Sequence, residues 1–164
     1  MMAIPSKLVC AAGEHYVAYQ LSSRGYIAAL TREGAPTADI LASNLYATKT
    51  LAIQVKTTTW AMRTRGRGED KHPYELQFPL GFRSAKQRAD NLVFAFVDLH
   101  DYDGKEPDVY LVPSAFVCEY CAPWIANAEG QLVRFHIDIE AMERFKNNWA
   151  MVEEKLGPWD APEH

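Results

Sequence analysis

Cysteine is scarce: three residues, Cys10, Cys118 and Cys121, in a chain of 164. An odd, small number excludes a disulfide framework and suits a reducing compartment, so a cytoplasmic location is expected. No apolar run approaches the roughly 20 residues of a membrane-spanning helix. The opening stretch MMAIPSKLVCAAGEHY has one Lys and a short mixed apolar segment before Gly13, Glu14 and His15, which makes a poor signal peptide. Repeats and low-complexity segments are absent. So are a P-loop, a GxSxG elbow and a Cys/His nucleophile pattern. The common nucleotide-triphosphatase, serine-hydrolase and thiol-protease chemistries therefore have no footing here.

What is present is an ordinary globular composition, 48% hydrophobic, 12% aromatic and 23% charged. That is enough apolar surface for one core, and the length fits a single domain spanning residues 1–164. Net charge is -4, which taken alone argues against a nucleic-acid partner. The distribution reverses that inference. Residues 1–97 hold 12 Lys/Arg and 7 Asp/Glu, whereas residues 98–164 hold 5 and 14. One part is basic and the other strongly acidic.

The pattern predicts a first helix over residues 6–24, with Ser6 as N-cap and Gly25 just past its end. Cys10, Val17 and Leu21 form its apolar stripe, and Glu14 falls on the same stripe, where a carboxylate needs a partner. Short strands follow at 26–31, 38–43 and 50–57, close enough in sequence for an antiparallel meander under that helix. Residues 60–71 read as a loop, 74–80 as a short strand and 83–90 as a basic helical turn. The continuous apolar run 92–99 reads as a buried central strand. Residues 100–107 form a turn with a hairpin-type Asp103-Gly104, and 109–112 return as a strand. A helix capped by Ser114 and a last helix over about 139–156, capped by Asp138 and stopped by Gly157-Pro158, complete an α/β sandwich with a mixed sheet.

Four residues concentrate the chemistry: Glu14, Asp39, Gln54 and Lys56. Asp39 begins one predicted strand, and Gln54 and Lys56 share one face of the next. Two carboxylates and an amide carbonyl make an oxygen-rich site of the kind Mg²⁺ prefers. A neighbouring Lys supplies positive charge and a donor that can orient an attacking water or stabilise charge on phosphorus.

Asp39, fourteen intervening residues, then Gln54-Val55-Lys56 resembles the D…(E/Q)xK signature of the PD-(D/E)XK phosphodiesterase superfamily, which includes restriction endonucleases and archaeal-type Holliday-junction resolvases. Pro36-Thr37-Ala38-Asp39 is a loose form of the PD pair, and Gly13-Glu14 followed by Val17-Ala18 and Leu21 resembles the first-helix Glu motif of the resolvase-like branch. The resemblance covers residues 10–57 by motif and 92–113 by strand pattern. It implies a restriction-endonuclease-like α-β-β-β-α-β core, a central mixed sheet flanked by helices. It also implies a nuclease that uses Mg²⁺ or Mn²⁺ to hydrolyse phosphodiester bonds in DNA, with RNA as the alternative, and pairing of two copies. Asp39 is then the central metal ligand, Gln54 a second through its side-chain oxygen beside the Val55 carbonyl, and Glu14 a ligand directly or through water. Lys56 is the catalytic lysine. Gln in place of the commoner Glu at position 54 removes one negative charge, so the bare site should hold Mg²⁺ less tightly.

The competing reading places Gln54 and Lys56 on the solvated face of an edge strand, Glu14 on an exposed helix face and Asp39 in a turn. Two further alternatives stand beside it: a catalytically inactive nucleic-acid-binding module with a vestigial site on the same fold, and a protein-interaction domain acting through its acidic 137–164 segment, a helical extension. Downstream, Arg63, Arg65, Arg67 and Lys71 lie in a Gly-containing loop suited to phosphate contact, and Arg83, Lys86 and Arg88 follow. Trp60, Tyr74, Phe78 and Phe82 are read as core aromatics. Cys118 and Cys121 are read as core thiols, Asp101–Gly104 as a hairpin tip, and the histidines 15, 72, 100, 136 and 164 as scattered.

Overall fold

The computed structural model describes residues 3–126 and 133–160. Helix α1 (Ser6–Ser23) buries Val9, Gly13, Val17 and Leu21 at four-residue spacing. Val17 and Leu21 are buried as expected, but in the N-terminal half Val9 and Gly13 stand where Cys10 and Glu14 were expected. Cys10 is exposed, and Glu14 flanks the stripe half-buried. Ser6 is the first helical residue rather than the cap, and Pro5 precedes it, its fixed φ suiting entry to a helix. The other end follows expectation. Gly25 takes φ +89°, and the Gly25 and Tyr26 N–H groups donate to the Ser22 and Leu21 carbonyls, a Schellman closure.

Strands β1 (Ile27–Leu30), β2 (Ile40–Ser43) and β3 (Thr50–Thr58) form the expected antiparallel meander. Helix α1 packs on it closely. A Cβ at Gly13 would collide with the Thr57 hydroxyl and lie 2.9 Å from Thr57 Cβ and Cγ2. Position 13 therefore takes only glycine, and the helix approaches β3 almost backbone to side chain.

Strand β3 is not an edge. On its far side it pairs in parallel with β6 (Leu92–Asp98), which pairs antiparallel with β7 (Asp108–Pro113), giving a mixed five-stranded sheet in the order β1-β2-β3-β6-β7. All seven β6 residues are buried, Asp98 included, as the unbroken apolar run predicts.

The crossover from β3 to β6 departs from the α-β-β-β-α-β expectation. In place of an α-helix it carries β4 (Met62–Arg65), β5 (His72–Pro79) and a 3₁₀ turn, Ser84–Lys86. The segment read as a loop is in part a strand. Its sequence, MRTR, shows no alternation because only Met62 packs on the core, and a bulge between Arg63 and Thr64 shifts the register. With β8 (Arg134–Asp138), also unanticipated, these strands form a second sheet ordered β4-β5-β8. The two sheets meet through aromatics. Phe96 stacks on Phe135 at 4.7 Å between centroids and touches Phe78 at 5.2 Å.

Helix α2 (Ser114–Ile125) follows β7. Ser114 does not cap it. Its hydroxyl instead donates to the Ala89 carbonyl at 2.8 Å and accepts from the Ala89 N–H at 3.0 Å, tying the helix start to the turn before β6. Cys121 is buried and Cys118 half-buried, both as free thiols. Burial pushes the Cys121 thiol up to about 11.

The single last helix expected over 139–156 is two: α3 (Ile139–Glu143) and α4 (Ala150–Leu156). Asp138 precedes α3 but makes no side-chain cap. Between them the chain leaves helical geometry to cover the open edge of β7. Leu111 N–H donates to the Phe145 carbonyl, Val109 N–H to Asn147 Oδ1, and Asn147 N–H to the Val109 carbonyl. An exposed strand edge needs such partners. Asn147 takes φ +48° to supply them. Met142, Val152 and Leu156 join the same core as the central sheet. Residues 161–164, including His164, lie outside the described residues.

Candidate functional site

Strand β2 stops at Ile40, opposite Ile53. From Gln54 onward β3 loses its neighbour on that side while keeping β6 on the other through Thr58. The two strands part, and Asp39 stands at the fork. Its N–H donates to the Ile53 carbonyl at 2.9 Å, and its Oδ2 accepts the Val55 N–H at 2.7 Å. A carboxylate thus replaces the missing strand as acceptor and is fixed in place. In an antiparallel pair a residue sends both backbone groups to one side. The Val55 carbonyl therefore faces the same fork.

Gln54 is 6% exposed, and its Oε1 is buried with no hydrogen-bond partner among the described residues. An orphaned amide oxygen costs about 1–3 kcal/mol, and native interiors rarely keep one without a reason. This burial, in a strand paired with β2 up to Ile53 and with β6 through Thr58, rules out the solvated edge-strand reading of Gln54.

Glu14 and Asp39 line a cleft of about 530 Å³ between the N-terminal half of α1 and the chain after β1, with Cys10, Thr31 and Arg32 beside them. Burial, then the Asp39 charge, raise the Glu14 carboxyl above its ordinary range, against a lowering from His15. Lys56 is half-buried. Burial lowers its ammonium below the usual lysine range, opposed by Asp39 and Cys10. The sequence alone does not mark Cys10 as a site residue. The residue is exposed overall, but partial desolvation of its thiol and then the Glu14 charge raise it, while Lys56 pulls it down. Asp39 is thus within electrostatic reach of Glu14, Lys56 and Cys10, and Cys10 within reach of all three. The signal for Cys10 was its four-residue spacing from Glu14 on one helix face.

The site has two carboxylates. Among the described residues no group of three His, Cys, Asp or Glu is arranged to hold a metal. The oxygen-bearing groups at and beside the fork are Asp39, the Val55 carbonyl and Glu14, with the buried Gln54 Oε1 next along β3. All are oxygens, the ligand type a hard divalent cation takes.

The basic residues are arranged by the hairpin. Arg63 and Arg65 lie on β4, while Arg67 and Lys71 flank the 3₁₀ turn Gly68–Asp70. Arg65, Arg67 and Lys71 are exposed and Arg63 half-buried, and none of the four pairs with a carboxylate among the described residues. Arg65 lies over the Tyr74 ring at 4.7 Å, so Tyr74 supports an arginine rather than the core. Arg63 Nε donates to Gln77 Oε1 at 2.6 Å.

A second polar cluster sits where β6 ends. His100 Nε2 lies 3.1 Å from Asp108 Oδ2, and Nδ1 lies 3.7 Å from the buried Asp98. Lys146 reaches the same Asp108 oxygen at 3.0 Å. Residues His100, Asp101 and Tyr102 all take positive φ. Burial raises the Asp98 carboxyl. Scattered in sequence, this group was not legible as a cluster.

No family model and no curated protein matches the chain. Among the described residues no helix is long and apolar enough to cross a membrane.

Proposed function

We propose that this protein is a divalent-metal-dependent nuclease of the PD-(D/E)XK kind, hydrolysing phosphodiester bonds in DNA. The observation that carries the reading is the fork of β2 and β3. There Asp39 is clamped to Val55 and lies within electrostatic reach of Lys56, Glu14 stands across the same cleft, and the adjacent Gln54 carries a buried amide oxygen with no partner among the described residues. Asp39, Gln54, the Val55 carbonyl and Glu14 are the residues that would hold Mg²⁺ or Mn²⁺. When bound, the ion supplies Lewis-acid charge at the scissile phosphate.

The protein's own groups do the remaining work. Asp39, clamped by the Val55 N–H, presents its free Oδ1 without reorganisation. Lys56 orients the attacking water and donates to the negative oxygens that develop on phosphorus. Partial burial strengthens that interaction relative to water. Arg63, Arg65, Arg67 and Lys71 stand on the hairpin that leaves β3, where they would take up strand phosphates.

The test is incubation of single-stranded, duplex and branched DNA with Mg²⁺ or Mn²⁺. Wild type cleaves, Lys56→Ala does not, and equal cleavage by both sinks the mechanism. A second reading, a binding module on the same scaffold, is favoured by the two-carboxylate donor set. It predicts salt-dependent binding without cleavage under any divalent ion.

A further inference from the structure

Beyond the metal fork, at the C-terminal end of β3, a separate cleft of about 190 Å³ opens between the two sheets, lined by Thr58, Arg63, Gln77 and Arg134 among others. Two arginines from different strands, β4 and β8, face one small space. Neither has a carboxylate within salt-bridge distance among the described residues, although Glu75 lies directly across the ladder from Arg63. Like charges are costly side by side unless an anion joins them.

Arg63 is held in place there. Its Nε donates to Gln77 Oε1 at 2.6 Å, the Gln77 amide nitrogen meets His136 Nε2 at 3.0 Å, and His136 Nδ1 meets Glu75 Oε1 at 3.2 Å. Glu75 also accepts from Tyr74 at 3.0 Å. The relay runs across all three strands of the second sheet. It spends the acid on His136 and Tyr74 and leaves the terminal nitrogens of Arg63 available. Gln77 is fixed as an acceptor toward Arg63, because its nitrogen faces His136. A guanidinium locked through Nε, with a second arginine and a threonine around a space of phosphate size, is pre-organised for a tetrahedral anion.

We infer that this cleft is a phosphate-binding site, gripping one phosphate group between Arg63 and Arg134. On the nuclease proposal its ligand is a backbone phosphate of the strand, held on the second sheet away from the scissile bond. The phosphate cleft itself stands without that proposal.

Inorganic phosphate is the first probe, followed by NMR through the Arg63 Nε–H and Gln77 side-chain amide signals. Saturable shifts are expected, with Kd raised about tenfold or more by Arg134→Gln or Arg63→Gln, the loss of one charge-assisted contact. Arg134 is exposed, so its replacement leaves the fold intact, and an unchanged melting temperature verifies this. Absence of saturation in wild type, or unchanged affinity in both variants, overturns the site. A second arm adds a short single-stranded oligonucleotide in EDTA. Displacement of phosphate assigns the ligand to a nucleic-acid strand. Failure to displace assigns it to a free phosphate compound and overturns the strand assignment alone. Loss of cleavage in Lys56→Ala is read separately, so the two proposals fail independently.

Discussion

Replacing Gln54 by methionine tests the proposed metal site most directly, because on that proposal it should stabilise the metal-free protein while weakening metal binding. The two side chains are close in length, so packing between β2 and β6 is retained. The change removes a buried oxygen that has no partner. Relief of that desolvation is worth about 2 kcal/mol. For a chain of this size each kcal/mol moves the melting temperature by about 2–4 °C, so metal-free Gln54→Met should melt about 4–8 °C above metal-free wild type. With Mg²⁺ the order inverts. An ion a hundredfold above its Kd stabilises wild type by about 2.7 kcal/mol, whereas the variant, lacking one ligand, gains little. Gln54→Glu should do the opposite: lower the metal-free melting temperature by placing a third carboxylate near Asp39 and Glu14, and tighten Mg²⁺ binding. Scanning calorimetry in EDTA and in Mg²⁺ measures all of these. A metal-free Gln54→Met protein less stable than wild type, or one stabilised by Mg²⁺ as much as wild type, refutes the argument.

Three further expectations concern the surrounding structure. The Glu14 carboxyl is raised above its ordinary value near 4.5, so its contribution to stability is complete below that pH and declines as pH rises through the folded-state value. Urea unfolding without metal should show Glu14→Gln gaining on wild type from pH 4 to 7. Gly13→Ala drives a methyl group into Thr57 and should cost about 1–3 kcal/mol, with partial recovery in the Gly13→Ala, Thr57→Ala double variant. His100→Ala removes the partner shared by Asp98 and Asp108 and should cost about 2–3 kcal/mol, read by the same unfolding measurement, with His100→Asn falling between.

Much of the central sheet was legible because its strands carry their own signal. The run at 92–97 is apolar throughout, and the 50–58 strand alternates around Gln54 and Lys56, so both lie within a residue or two of the expected bounds. The positions of Asp39 and Glu14 were legible because charge beside a strand start or next to a helix stripe is conspicuous. The second sheet was not legible. Met62–Arg65 packs a single apolar residue, and Arg134–Asp138 alternates too briefly to stand out beside the helix that follows. Residue type alone makes Ser114 and Asp138 cap candidates, yet the Ser114 hydroxyl has a better partner in Ala89. The break between the last two helices was hidden for a related reason. What ends α3 is the need of a distant strand, β7, for hydrogen-bond partners, and no local pattern carries that demand.

The hairpin that replaces a helix between β3 and β6 has an evolutionary consequence. Lys56 ends the proposed catalytic motif, and Arg63 appears seven residues later on a ribbon whose far turn, at Gly66–Lys71, is exposed. That turn lies well away from the fork, so it can lengthen, shorten or exchange residues while Asp39, Gln54 and Lys56 keep their register with β6. On the nuclease proposal, chemistry and substrate choice are thereby inherited on one short stretch of chain yet free to diverge at different rates. Related sequences should vary most in the ribbon turn and least at the parted strands.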